Sequence, residues 1–197
     1  MNTISKDLEI DVGGFVASRR RFLKTMACGS LLTLGGTGIA NAALRPFPAH
    51  KTLSLLHVHT GDKLKLTYFE QGDYLQDALH EISYLMRDYH TDDVHPIDPE
   101  LLDQLYDLTM VLGLRKPFHI HSGYRSPRTN ARLRKMYRGV AKHSLHMKGK
   151  AIDIHLDGFD TRKIRKAALA MRRGGVGYYA RADFVHLDTG AFRSWTG

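Results

Sequence analysis

The spacing of hydrophobic positions changes several times along the chain, and each change marks an element. Leu53 to His59 and Leu64 to Phe69 are β-prone runs around Thr60-Gly61-Asp62-Lys63, which predicts a hairpin. In the second run Leu64, Leu66 and Tyr68 alternate with Lys63, Lys65 and Thr67, as in a half-buried strand. From Asp73 to Tyr89 the step lengthens. Leu75, Leu79, Ile82, Met86 and Tyr89 recur at fours and threes and predict one face of a helix. Asp98-Pro99-Glu100 opens a second helix, with Asp98 as cap, Pro99 in the first turn and a stripe of Leu101, Leu105, Leu108 and Leu112. Gly113 ends it.

Shorter elements follow. Pro117 to His121 predicts a strand, Ser122 to Pro127 a turn, and Ser126-Pro127 the start of a short helix to about Tyr137. Lys150 to Leu156 predicts a strand with Ala151, Asp153 and His155 on one face and Ile152, Ile154 and Leu156 on the other. Asp160 caps a basic helix through Arg172, which Gly174-Gly175-Val176-Gly177 breaks. Val176 to Tyr179 and Phe184 to Asp188 make the last two strands. No internal repeat interrupts this order. The expectation is an α+β fold in a single domain, with helices packed on a small antiparallel sheet.

Composition adds an N-terminal extension to that domain. The chain has 197 residues, 43% of them hydrophobic, enough for one ordinary globular core. Ser18-Arg19-Arg20-Arg21-Phe22-Leu23-Lys24 is a twin-arginine export motif, and a mostly apolar run from Thr25 to Ala40 follows it. Ala40-Asn41-Ala42 has the small-x-small pattern of a signal-peptidase site. The apolar run holds four glycines and is shorter than the ~20 residues that span a bilayer. Residues 1–42 are therefore expected to be a signal peptide and residues 43–197 a periplasmic domain exported by the twin-arginine route. A membrane anchor through an uncleaved signal segment is the alternative.

Cys28 is the only cysteine and lies in that extension, so disulfide and thiol chemistry are excluded from the domain. A metal there has to be held by His and carboxylate. The formal charge is +9, of which residues 1–42 supply +2. A basic surface attracts polyanions. Export removes nucleic acid as a partner and leaves anionic lipid, an acidic cell-wall polymer, or a solvated surface with no specific partner. A monomer is expected.

The chemistry concentrates in two segments. Ser144-Leu145-His146-Met147-Lys148-Gly149-Lys150-Ala151-Ile152-Asp153 is answered by Phe184-Val185-His186-Leu187-Asp188. Two imidazoles and one carboxylate suit a divalent ion that keeps one position open for water. The spacing from His146 to Asp153 is loop to strand, unlike the i, i+4 pair of a helical zinc site. The alternative reading of His186, alone on an apolar strand, is a structural histidine.

Several further motifs occur in order. They are His59-Thr60-Gly61, Leu85-Met86-Arg87-Asp88, Ser122-Gly123-Tyr124-Arg125-Ser126-Pro127 with Asn130, and Val140-Ala141-Lys142-His143-Ser144-Leu145-His146 running into Asp153. Gly174-Gly175-Val176-Gly177-Tyr178-Tyr179 and Phe184-Val185-His186-Leu187-Asp188-Thr189-Gly190 complete them. From about Leu53 to Trp195 the chain resembles the MepK-type murein endopeptidases, a branch of the M15 (LAS-type) zinc peptidases. The resemblance implies one zinc ion at His146, Asp153 and His186, with water on that ion as the nucleophile. It implies hydrolysis of peptide cross-links in peptidoglycan, whose stem peptides would be the partner. A DD-carboxypeptidase of the same fold and a non-catalytic cell-wall-binding module are the alternatives.

Asp183 matches the family's D/E-x-x-H position and is the first choice as general base. Strand alternation puts it on the face opposite His186, so a bend is required there, and Asp188, on the same face, is the second choice. Arg125 is implied to anchor a substrate carboxylate or to polarise the scissile carbonyl. His143 is a candidate to hold the oxyanion of the transition state. His155 shares a face with Asp153, while His119 and His121 read as structural.

Overall fold

The structure is a computed structural model that describes residues 48–197. The expected signal peptide, its Cys28 and the proposed cleavage site lie outside the described residues. No helix among the described residues is long and apolar enough to cross a membrane.

Among the described residues, eight strands form one sheet in the order β3-β2-β1-β4-β5-β7-β6-β8, with four helices. The predicted hairpin is β1 (His50–His57) against β2 (Lys63–Glu70). β3 (Asp73–Tyr74) extends that edge. The first helix, α1 (Gln76–Leu85), is shorter at both ends than the apolar spacing predicts. Its first residues pair with β2. Its last turn is cut off at Met86, whose carbonyl accepts the Tyr124 N–H at 2.8 Å. Gly123 allows that approach, because a Cβ there would lie 2.7 Å from Met86 Cβ.

α2 (Pro99–Leu112) begins and ends as expected, with Asp98 accepting the Glu100 N–H and Gly113 in the left-handed conformation. After β4 (Phe118–Ser122) come α3 (Pro127–Met136), a single 3-10 turn (Leu145–Lys148) and β5 (Ala151–His155). α4 (Thr161–Met171), β6 (Gly175–Tyr179), β7 (Phe184–Asp188) and β8 (Arg193–Thr196) complete the chain.

The α+β architecture is the expected one, but the sheet is larger and is mixed. β1 and β4 run parallel, as do β6 and β8. The first parallel pair follows from α1 and α2, which make the crossover that a parallel neighbour requires.

One face of the sheet carries Ile120, Ile152, Ile154, Val185 and Leu187 and packs with Leu101, Leu102, Leu105 and Leu108 of α2 and Ile164 of α4. Each such side chain contributes roughly 1.5–3 kcal/mol when fully buried. This packing fixes the register. A slip of one residue would move Ile152 and Ile154 out of the core and Asp153 into it. The polar residues between them, Asp153 and His186, therefore point to the other face, and Asp153 pairs directly with His186 across β5 and β7.

Candidate metal centre

Three segments deliver the donors. β5 supplies Asp153, β7 supplies His186, and the 3-10 turn supplies His146. The turn is capped by Ser144, which accepts the His146 N–H, and is closed by Gly149 at φ +63°. His146 Nε2, Asp153 Oδ1 and His186 Nδ1 converge within 4.8 Å of one another. The separations are 3.4 Å from His146 to Asp153, 2.8 Å from His186 to Asp153 and 3.2 Å between the two imidazoles. Tetrahedral ligands at zinc distances of about 2.0–2.1 Å stand ~3.3 Å apart, close to these edges. All three side chains are buried, His146 at 2%, Asp153 at 7% and His186 at 9% exposure.

The hydrogen-bond partners assign the tautomers. His146 Nδ1 lies 2.7 Å from the Gly123 carbonyl, which only accepts, so Nδ1 carries the proton and Nε2 presents its lone pair. His186 Nε2 donates to Asp188 Oδ2 at 3.0 Å, leaving Nδ1 to face Asp153 and His146. Carboxylate or carbonyl behind each imidazole is the arrangement that orients metal-ligating histidines.

The electrostatics favour positive charge here. Burial opposes ionisation of Asp153, but the imidazoles packed against it hold its carboxyl well below the usual range. Burial also works against a charged His186, yet its hydrogen bonds to Asp153 and Asp188 prevail and raise its pKa to about 9. Burial lowers the pKa of His146 and keeps it neutral. A divalent ion among the three donors meets the same demand that a proton on His186 otherwise meets. The donor set fits a borderline ion such as zinc.

Arg125 is brought to this centre. Its Nη2 lies 3.7 Å from Asp153 Oδ2, and its backbone N–H donates to the His146 carbonyl. Asp188 is also in place, behind His186 and fully buried. Burial would raise its pKa, but hydrogen bonds from His186 and Arg193 hold it far below the ordinary value.

Asp183 immediately precedes β7 and is not one of the three donors. It sits in the β6–β7 turn at φ +52° and its Oδ1 accepts the Thr161 hydroxyl at 2.8 Å. The bend its role required is present, and its charge is felt by His155 on the open face. His143 is exposed, and among the described residues no hydrogen bond or ion pair joins it to the centre.

Some groups at the site carry no sequence signal. The Gly123 carbonyl and Arg193, which binds Asp188 through both terminal nitrogens, are visible only in three dimensions. Gly175 has a signal that reads as a helix breaker, while its structural role is to leave room for the Asp188 carboxylate where a Cβ would collide. His121, expected to be structural, and His155, which shares a face with Asp153, bond ring to ring at 2.6 Å on the open face. Phe184 and Tyr179 stack beside them, and Trp195 lies 5.2 Å from the His186 ring.

Comparison with known proteins gives the family. The family model described as peptidoglycan L,D-endopeptidase MepK, of the M15 peptidases, matches residues 46–195. Peptidoglycan L,D-endopeptidase MepK of Escherichia coli K12 is 49% identical over 173 residues, covering 84% of this chain and 94% of the relative. The probable peptidoglycan L,D-endopeptidase MepK of Haemophilus influenzae is 38% identical over 174 residues, with the same coverage. No solved structure matches. The chain belongs to the MepK family of M15 peptidases.

Proposed function

We propose that the protein is a zinc-dependent murein endopeptidase that hydrolyses an amide in the peptide cross-links of peptidoglycan. The observation that carries this reading is the buried convergence of His146 Nε2, Asp153 Oδ1 and His186 Nδ1 in a MepK-family chain. A zinc ion held by these residues supplies Lewis acidity and makes water nucleophilic at neutral pH. The chain's own residues do the rest. Asp188 fixes the ring of His186, and the Gly123 carbonyl fixes that of His146. Arg125 presents its guanidinium beside Asp153, where a peptide carbonyl or carboxylate meets it.

The two carboxylates expected as base differ in how far they are engaged. Asp188 accepts five hydrogen bonds, whereas Asp183 accepts one, from the Thr161 hydroxyl to Oδ1. Asp188 is therefore read as a positioning residue, and Asp183 is kept as the proposed general base.

The relatives' designation as L,D-endopeptidases favours an amide that joins an L-centre to a D-centre, as in diaminopimelate–diaminopimelate cross-links. It favours internal cleavage over a carboxypeptidase or a binding module. A cell-wall substrate implies the periplasm, and Ser18 to Lys24 supports the twin-arginine route there.

The test is metal content measured together with release of cross-linked muropeptides. Zinc at one ion per chain, chelator-sensitive cleavage and loss of cleavage in Asp153→Asn are expected. Cleavage that persists in the chelated protein would overturn the reading.

A further inference from the structure

Between Asp107 and Asp153 the chain contains no Asp or Glu and eleven Lys and Arg residues. The middle of this stretch folds as α3, next to Arg125 in sequence. Arg128 and Arg132 are four residues apart and so share a side of that helix, one turn from each other. Two open cavities meet beside them. The first is lined by Arg125, Ser122, Tyr124 and Tyr89 together with His90 and Thr129. The second is lined by Arg128, Arg132, Thr91 and again His90 and Thr129. The shared lining makes one continuous groove, which runs from the guanidinium beside Asp153 to the two arginines of α3.

Arg128 and Arg132 have no carboxylate partner among the described residues. The one carboxylate on the walls of the groove is Asp88, which is buried and turned to the backbone N–H groups of His90 and Ser126 at 2.9 and 2.8 Å. Among the described residues none of the six Lys and Arg from Arg128 to Lys142 pairs with a carboxylate. A concave surface with charge of one sign concentrates ligands of the other. Guanidinium forks match a carboxylate with two parallel hydrogen bonds.

We propose that Arg128, Arg132 and His90 form an anion subsite that receives a free carboxylate of an acidic peptide, displaced along the peptide from the group that Arg125 meets. The subsite rests on the peptidase reading above and extends it. The enzyme selects substrates that carry a second carboxylate near the cleaved amide, and discriminates against peptides in which that carboxylate is amidated.

The test uses the zinc-loaded mature chain and a cross-linked stem-peptide analogue whose scissile amide is reduced, in free-acid and amidated forms. Binding is measured by calorimetry for the wild type, the double variant Arg128→Gln/Arg132→Gln and the charge-conserving double lysine variant. The wild type is expected to prefer the free acid by roughly tenfold, in keeping with two partly exposed ion pairs. The glutamine variant is expected to lose that preference with zinc content and melting temperature unchanged, and the lysine variant to keep part of it. Equal binding of both forms by the wild type would overturn the subsite. So would a preference retained in the glutamine variant, or one abolished equally by inorganic phosphate at the same concentration. Cleavage of the unreduced peptide is a separate readout. Carboxylate-dependent binding without cleavage would refute the peptidase reading and leave the subsite standing.

Discussion

Asp188 is completely buried and accepts five hydrogen bonds, from His186, from both terminal nitrogens of Arg193 and from the backbone of Gly175 and Gly190. Such a carboxylate cannot rotate, so the imidazole it holds cannot rotate either. Asp188→Asn replaces an acceptor with a group that also donates. It is expected to weaken zinc binding by about 10- to 100-fold, the usual effect of removing such support. Competition against a chromophoric chelator measures it, and an affinity within twofold of wild type would reject the orienting role. A second buried side chain gives a pH prediction. His57 accepts the His59 and Thr60 N–H groups at Nδ1, while its Nε2 has no partner among the described residues. Burial first, then the nearby charges of His59 and Arg87, lower its pKa to about 4. The unfolded chain, with an ordinary value near ~6.5, binds a proton that the folded chain refuses. The resulting stability is present above ~6.5 and is lost as pH falls toward 4, on the order of 3 kcal/mol in all. Urea unfolding across this window should show that slope, and His57→Asn, which keeps an acceptor but does not titrate, should flatten it.

At the scale of elements, Asp98 ties three of them together. Oδ1 caps α2, Oδ2 accepts the Thr189 hydroxyl just after β7 at 2.9 Å, and its N–H bonds the Gly149 carbonyl that ends the 3-10 turn. Asp98→Ala is expected to cost about 1–2 kcal/mol and to lower the melting temperature by roughly 3–6 °C in a domain of this size. This cap was legible in the sequence, as were the alternating strands that carry Asp153 and His186, because local hydrophobic spacing determines both. The 3-10 turn was read only as loop, since four residues closed by a left-handed glycine leave no period to detect. β3 and β8 are too short to stand out and depend on neighbours far away in sequence. The surroundings of the proposed base are hidden for a related reason. A motif spacing places Asp183 beside His186 in sequence, but the tight turn that ends just before β7 and its bond to Thr161 appear only in three dimensions.

For the molecule as a whole, the donors come from β5, from β7 and from a turn anchored to β4's exit, so folding itself assembles the centre. Metal bound only by the folded chain stabilises it by mass action, about 2.7 kcal/mol at a hundredfold excess over Kd. Zinc added to chelated protein should therefore raise the melting temperature by roughly 5–10 °C. An unchanged melting curve would contradict a site formed by these three residues.

Trp195 is the chain's single tryptophan, and it stands 5.2 Å from the ring of His186 with its Nε1–H bonded to the Tyr179 hydroxyl. The protein thus contains its own optical probe. Tryptophan emission reports one place in the fold, the wall of the candidate metal centre, so a titration with zinc or with an uncleaved peptide can be followed by fluorescence on the unlabelled native chain.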